Sequence, residues 1–152
     1  MTPSTEHELR PATPADYDAI AAVLNDWWGR PVLPSLPRLF LDHFHRTSLI
    51  AEGVTGMSGF LIGFMSPSEP DEAYIHFVGV SPEARAGGLA RTMYEHFFDI
   101  ARHHDRHVVK AITAPVNTAS QAFHRRLGFT VSDPVPDYNG PGTSLVTFAR
   151  AL

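Results

Sequence analysis

Val78-Gly79-Val80-Ser81-Pro82-Glu83-Ala84-Arg85-Ala86-Gly87-Gly88-Leu89-Ala90 is the stretch on which the fold turns. The most strand-like run of the chain, Tyr74-Ile75-His76-Phe77-Val78-Gly79-Val80, feeds a proline turn, after which small and glycine residues open a helix. Leu89, Met93, Phe97 and Ile100 recur at steps of four, four and three, which predicts a helix over about 87–102. The first turn of a helix carries N–H groups with no intrahelical acceptor and a partial positive charge, so it attracts phosphate. Glycine there lets a diphosphate approach the backbone. An ordinary strand–turn–helix corner has the same residues, and on this ground alone the two readings stand level. Two phosphate loops are excluded. GxxxxGK[ST] needs a lysine after its second glycine, and Lys110 is far away; GxGxxG fails because Gly87 and Gly88 are adjacent. Neither ATP nor NAD is expected.

Outward from this stretch, upstream residues 6–10 read as an opening strand. Thr13-Pro14 reads as an N-cap followed by proline at the first helical position. Tyr17, Ile20, Leu24, Trp27 and Trp28 continue at helical spacing up to Gly29. Residues 36–44 form a second short helix, and 48–52 and 57–65 are strands joined by the turn Gly53-Val54-Thr55-Gly56. Downstream, 107–113 is a strand. Ala119, Ala122, Phe123 and Leu127 mark a helix that Gly128 ends, and 129–131 and 143–148 are closing strands. The order βαα-βββ-αβ-αββ describes one α/β domain over 1–152 with a mixed sheet, its first five residues flexible.

Composition narrows the function classes. The 152 residues suffice for one core, and 43% apolar with 18% charged residues is ordinary for a globular chain. With no cysteine, disulfides, thiolate catalysis and Cys-type zinc sites are excluded. A net charge of −4 argues against a nucleic-acid binder, which needs a basic face. The beginning of the chain lacks a signal-peptide pattern, and the longest apolar runs are too short to span a bilayer. A cytoplasmic protein without membrane partners is expected. His103, His104 and His107 sit at a helix end and a strand start, where imidazolium suits the helix dipole; no metal is expected.

Arg85-Ala86-Gly87-Gly88-Leu89-Ala90 resembles the R/Q-x-x-G-x-G/A signature of the GNAT superfamily of acyl-CoA-dependent N-acetyltransferases. Asn117-Thr118-Ala119-Ser120, followed by Phe123-His124-Arg125-Arg126-Leu127-Gly128-Phe129, resembles that family's N-x-x-S/A…Y-x-x-x-G-F motif, in the same order along the chain. The resemblance implies a mixed sheet splayed between the fourth and fifth strands and flanked by about four helices. It implies acetyl-CoA as cosubstrate, its pantetheine arm pairing with the backbone of Val78, Gly79 and Val80 and its diphosphate on the N–H groups of 85–90. Asn117 and Ser120 would border the pantetheine. An amine would attack the thioester directly, with no acyl-enzyme. A homodimer is compatible with the family.

The departure is His124, where the family often has the tyrosine that protonates the leaving thiolate. A histidinium (reference pKa about 6.5) donates downhill to a thiolate (about 8.5), so the role is chemically open to it; a merely hydrogen-bonded helical histidine is the other reading. His76 is the leading candidate for the base that deprotonates the amine, on one strand face with Tyr74, Val78 and Val80, and a core histidine is its alternative. Asp26, Trp28, Tyr74 and Tyr138 are candidates for the acceptor site. The leading reading is an N-acetyltransferase acting on a primary amine of a small molecule. Two others stand beside it: a non-catalytic acyl-CoA-binding sensor on the same fold, and a protein or peptide N-terminal acetyltransferase.

Overall fold

The computed structural model describes residues 7–152. Along the chain it runs β1 (Glu8–Pro11), α1 (Tyr17–Trp28), α2 (Leu39–Phe44), β2 (Leu49–Gly53), β3 (Gly56–Met65), β4 (Glu72–Val80), α3 (Leu89–His103), β5 (Val108–Thr113), α4 (Thr118–Arg126), β6 (Thr130–Val131) and β7 (Val146–Ala151), with short 3₁₀ turns between. This is the order read from the sequence. The seven strands form a mixed sheet in the order β1-β2-β3-β4-β5-β7-β6. The chain divides into two compact units, residues 7–64 with 77–100 and residues 65–76 with 101–152. The flexible residues 1–5 and the strand start at Glu6, expected above, lie outside the described residues.

In the first unit, β1, β2 and β3 are antiparallel neighbours, with a register shift at Ala51/Glu52. The Ser81 N–H donates to Ser58 O at 2.8 Å, which holds the end of β4 against β3. Asp16 accepts from the Thr13 N–H at 2.7 Å and so fixes the entry to α1. Gly29, at φ 70°, ends α1. Ile20 and Leu24 of α1 pack with Leu36, Leu41, Ile50, Phe60 and Ile62 in a fully buried cluster. On the opposite face of β3, Leu89 and Met93 of α3 close over Gly59.

In the second unit, β4 pairs with β5 in parallel over Glu72↔Val108, Ala73↔Val109 and Tyr74↔Lys110. β7 runs antiparallel to both β5 and β6. The Arg106 guanidinium ties the loop before β4, donating to Ser66 O at 2.7 Å and to Glu69 O and Glu72 O at 3.1 Å each. Phe129, Phe148, Val146 and Val109 are buried here together with His124.

Boundaries differ by three residues at α2, which begins at Leu39 rather than at 36, and at the last strand, and by two at the helix after β4. A 3₁₀ turn over Pro82–Gly87 precedes α3, so the helix starts at Leu89 rather than near Gly87. β7 begins at Val146, three residues later than the sequence pattern suggests, because residues 133–145 form a turn-rich excursion closed by a Val135↔Leu145 bridge.

Candidate active site

The first unit holds the corner that the sequence singled out. Backbone groups alternate sides along a strand, so with Ser81 directed at β3, Val78 and Val80 turn their carbonyls away from it. Gly79 shares the β3-facing register. A Cβ on Gly79 would lie 2.5 Å from the Phe60 ring, so the glycine is accounted for by the close approach of that ring. After β4, the 3₁₀ turn uses its N–H groups on carbonyls three residues back. The donors left for an anion are then those of the first turn of α3, from Leu89 and Ala90 onward. Gly88 adopts φ 76°, and a Cβ on either Gly87 or Gly88 would meet nothing within 4 Å. The corner therefore offers open space in front of a helix N-terminus, which fits a diphosphate. A cavity of about 520 Å³ adjoins it at the β2–β3 turn, lined by His7, Trp27, Ser58, Ser81 and Gly87 among others.

Two side chains cover the outward edge of β4. The Trp28 Nε1–H donates to Val78 O at 3.1 Å, and the Arg85 Nε–H donates to Val80 O at 3.3 Å. Arg85 also donates to Trp27 O, at the end of α1. The Trp28 ring leans on Phe77 with centroids 4.6 Å apart, and the Arg30 guanidinium lies over it at 5.6 Å. Asp26 is exposed on the same turn of α1.

In the second unit, Asn117 is the N-cap of α4: its Oδ1 accepts from the Ser120 N–H at 3.2 Å, and its Nδ2 donates to Thr113 Oγ1 at 3.1 Å. One turn on, His124 is 4% exposed. Its Nδ1 lies 2.7 Å from Ser120 O. A carbonyl only accepts, so Nδ1 carries a proton. Burial pushes the imidazole pKa below its ordinary 6.5, and the hydrogen bond to Ser120 only partly opposes this. Tyr74 is pushed up to about 12, by burial and then by Tyr138 nearby. His76 is half-buried on β4, two residues beyond the last β4–β5 pair.

The acetyltransferase (GNAT) family model matches residues 7–129. The chain belongs to the GNAT family. Among curated relatives, it is 32% identical over 85 residues to an L-2,4-diaminobutyric acid acetyltransferase of Vibrio parahaemolyticus, covering 56% of this chain and 47% of that one. It is 28% identical to an L-methionine sulfoximine/L-methionine sulfone acetyltransferase of Pseudomonas aeruginosa, covering 84% and 83%. The chain spans about half the length of the diaminobutyrate relatives it matches. A solved structure from Desulfovibrio desulfuricans assigned to the GNAT family superposes with a TM-score of 0.82 at 16% identity, over 96% of this chain and 99% of that one.

Of the cofactor-site candidates read from the sequence, Val78, Gly79, Val80 and residues 85–90 lie together in the first unit, whereas Asn117 and Ser120 lie in the second. Sequence reasoning missed Arg30 and Phe77, which bracket the Trp28 ring; a cation two residues past a tryptophan was the available signal. Among the described residues no helix is long and apolar enough to cross a membrane, and no cluster of His, Asp and Glu is arranged to hold a metal ion.

Proposed function

We propose that this GNAT chain transfers an acetyl group from acetyl-CoA to a primary amine of a small molecule. The observation that carries the reading is the corner of the first unit: outward carbonyls at Val78 and Val80, followed by open space at Gly87 and Gly88 before the N-terminus of α3. The pantetheine amides would pair with that strand edge, and the diphosphate would lie at the helix opening, where N–H groups and the dipole favour it. Acetyl-CoA supplies the activated acyl group. The neutral amine attacks the thioester carbonyl; the C–N bond forms, the C–S bond breaks, the ammonium proton passes to a base and the CoA thiolate takes up a proton. His76 is the proposed base. Asn117 and Ser120 shape the opening turn of α4.

The relatives point to amino acids bearing a free amine as acceptors, and the Trp28–Arg30 pair supplies an aromatic face and a cation for such a molecule. The test is release of free CoA thiol from acetyl-CoA with 2,4-diaminobutyrate, methionine sulfone, other amino acids, polyamines and short peptides. Acceptor-dependent release with a small amine supports the reading, and release with peptides alone replaces it by N-terminal acetylation.

The His124 geometry favours one alternative, a non-catalytic acyl-CoA-binding protein, because the position the family uses for the acid holds a buried neutral ring. Tight acetyl-CoA binding without thiol release for any amine would establish it.

A further inference from the structure

An outward strand edge needs partners for its carbonyl groups, and in this chain two side chains supply them. Trp28 Nε1 holds Val78 O at 3.1 Å and Arg85 Nε holds Val80 O at 3.3 Å. Both donors are tied to the end of α1, Trp28 as its last residue and Arg85 through its bond to Trp27 O. Arg30 stacks on the same indole. The two carbonyls are those against which the proposed function places the pantetheine arm.

Resting on that reading, we propose that Trp28 and Arg85 form a displaceable cover over the β4 edge. The indole and the guanidinium leave Val78 O and Val80 O when acyl-CoA arrives, and the end of α1 rearranges with them. A carbonyl oxygen has two lone pairs, but the indole and the guanidinium that reach Val78 O and Val80 O stand on the outward side of β4, where a strand-like ligand would have to lie, so the ligand and the side-chain donors compete for that edge. The exchange replaces one hydrogen bond by another and is close to neutral in free energy, so it is reversible. Because Trp28 also carries Arg30, filling the cofactor site changes the surface offered to the acceptor. Such coupling is reciprocal, and acceptor binding then alters cofactor affinity by the same factor.

The experiment uses acetyl-CoA and the full chain. The two indole N–H resonances are assigned in ¹⁵N-labelled protein with Trp27→Phe and Trp28→Phe, and acetyl-CoA binding is measured in parallel by calorimetry. The Trp28 Nε1–H resonance is expected to shift on saturation and to lose protection from solvent exchange. Trp28→Phe keeps a ring against Phe77 but removes the donor, and is expected to bind acetyl-CoA about three- to tenfold more tightly, the worth of one hydrogen bond. Saturation with an unmoved Trp28 resonance, or unchanged or weaker binding by Trp28→Phe, overturns the cover while leaving the acyl-CoA reading intact. Absence of any acetyl-CoA binding to the wild-type chain overturns both.

Discussion

His124 lies face to face with Phe148, the ring centroids 3.8 Å apart and the planes within 8°. Phe129 meets the imidazole nearly edge-on at 5.0 Å. A proton donor for a leaving thiolate needs its proton on a nitrogen that reaches the sulfur. Here the neutral ring keeps its proton on Nδ1, against Ser120 O, so Nε2 is an acceptor. We therefore propose that His124 serves packing rather than protonation of a leaving thiolate.

His124→Phe is accordingly expected to keep kcat within about threefold of wild type, where loss of a positioned acid costs about 10²-fold or more. Loss of the bond to Ser120 O should lower stability by about 1 kcal/mol. The pH dependence has a definite sign. The folded pKa is depressed, so the unfolded chain binds the proton first, and the contribution of His124 is complete above about pH 6.5 and is lost as pH falls toward the folded value. Urea titrations at pH 7.5 and 5.5 should show a smaller acid-side loss in His124→Phe than in wild type. A hundredfold drop in single-turnover rate would restore the acid role.

Gly87 and Gly88 separate backbone strain from electrostatics. Gly88 sits at φ 76°, where a side chain is costly, so Gly88→Ala should lose roughly 1 kcal/mol of stability. Gly87 carries no such constraint and faces open space. Gly87→Glu should leave the melting temperature nearly unchanged and weaken acetyl-CoA binding by about two orders of magnitude, through lost charge-assisted contacts and repulsion of the diphosphate. Calorimetry on the folded variant decides this, and unchanged affinity would move the diphosphate elsewhere.

Arg106 gathers three carbonyls of the 66–72 segment. Arg106→Ala should destabilise the chain by about 2–3 kcal/mol, since hydrogen bonds to charged groups are worth about 1.5–3 kcal/mol and the three share one guanidinium. Arg106→Lys should recover part of the loss, because all three bonds leave the single nitrogen Nη1 and an ammonium also offers three donors. Denaturant midpoints of the two variants check this.

How much of this was legible in the sequence depended on whether local or distant contacts decided the matter. The strand at 74–80, the α3 stripe of Leu89, Met93 and Phe97, and the Asn117 and Gly128 ends of α4 are local patterns, and they were read with the right type and order. The proline turn after β4 was read as well, but its extent was not, since the 3₁₀ turn takes in Gly87 and moves the helix start to Leu89. Gly79 was named for its backbone alone, and the reason it must be glycine was not legible, because the Phe60 ring that requires it lies nineteen residues away in sequence. His124 of α4 matched a motif position whose chemistry depends on burial, and its stacking partner Phe148 belongs to β7. The Trp28–Val78 bond is likewise long-range, joining residues fifty apart in sequence, and no spacing rule announces it.

His76 carries the proposed base. The acceptor amine is protonated at neutral pH and becomes a nucleophile only on losing that proton. A positioned imidazole, ordinarily titrating near 6.5, can take it, and general bases contribute about 10²–10⁴-fold. His76→Ala should therefore lower kcat/KM for the amine by that factor, while acetyl-CoA affinity by calorimetry stays within about threefold of wild type. The loss should shrink as pH rises, because an increasing fraction of amine arrives already neutral. His76→Gln keeps a polar side chain that can hydrogen-bond but cannot act as a base at these pH values. It should be as slow as His76→Ala at pH 7 and converge on wild type at high pH in the same way. A deficit independent of pH, or full rescue by glutamine, would assign His76 to positioning the acceptor instead.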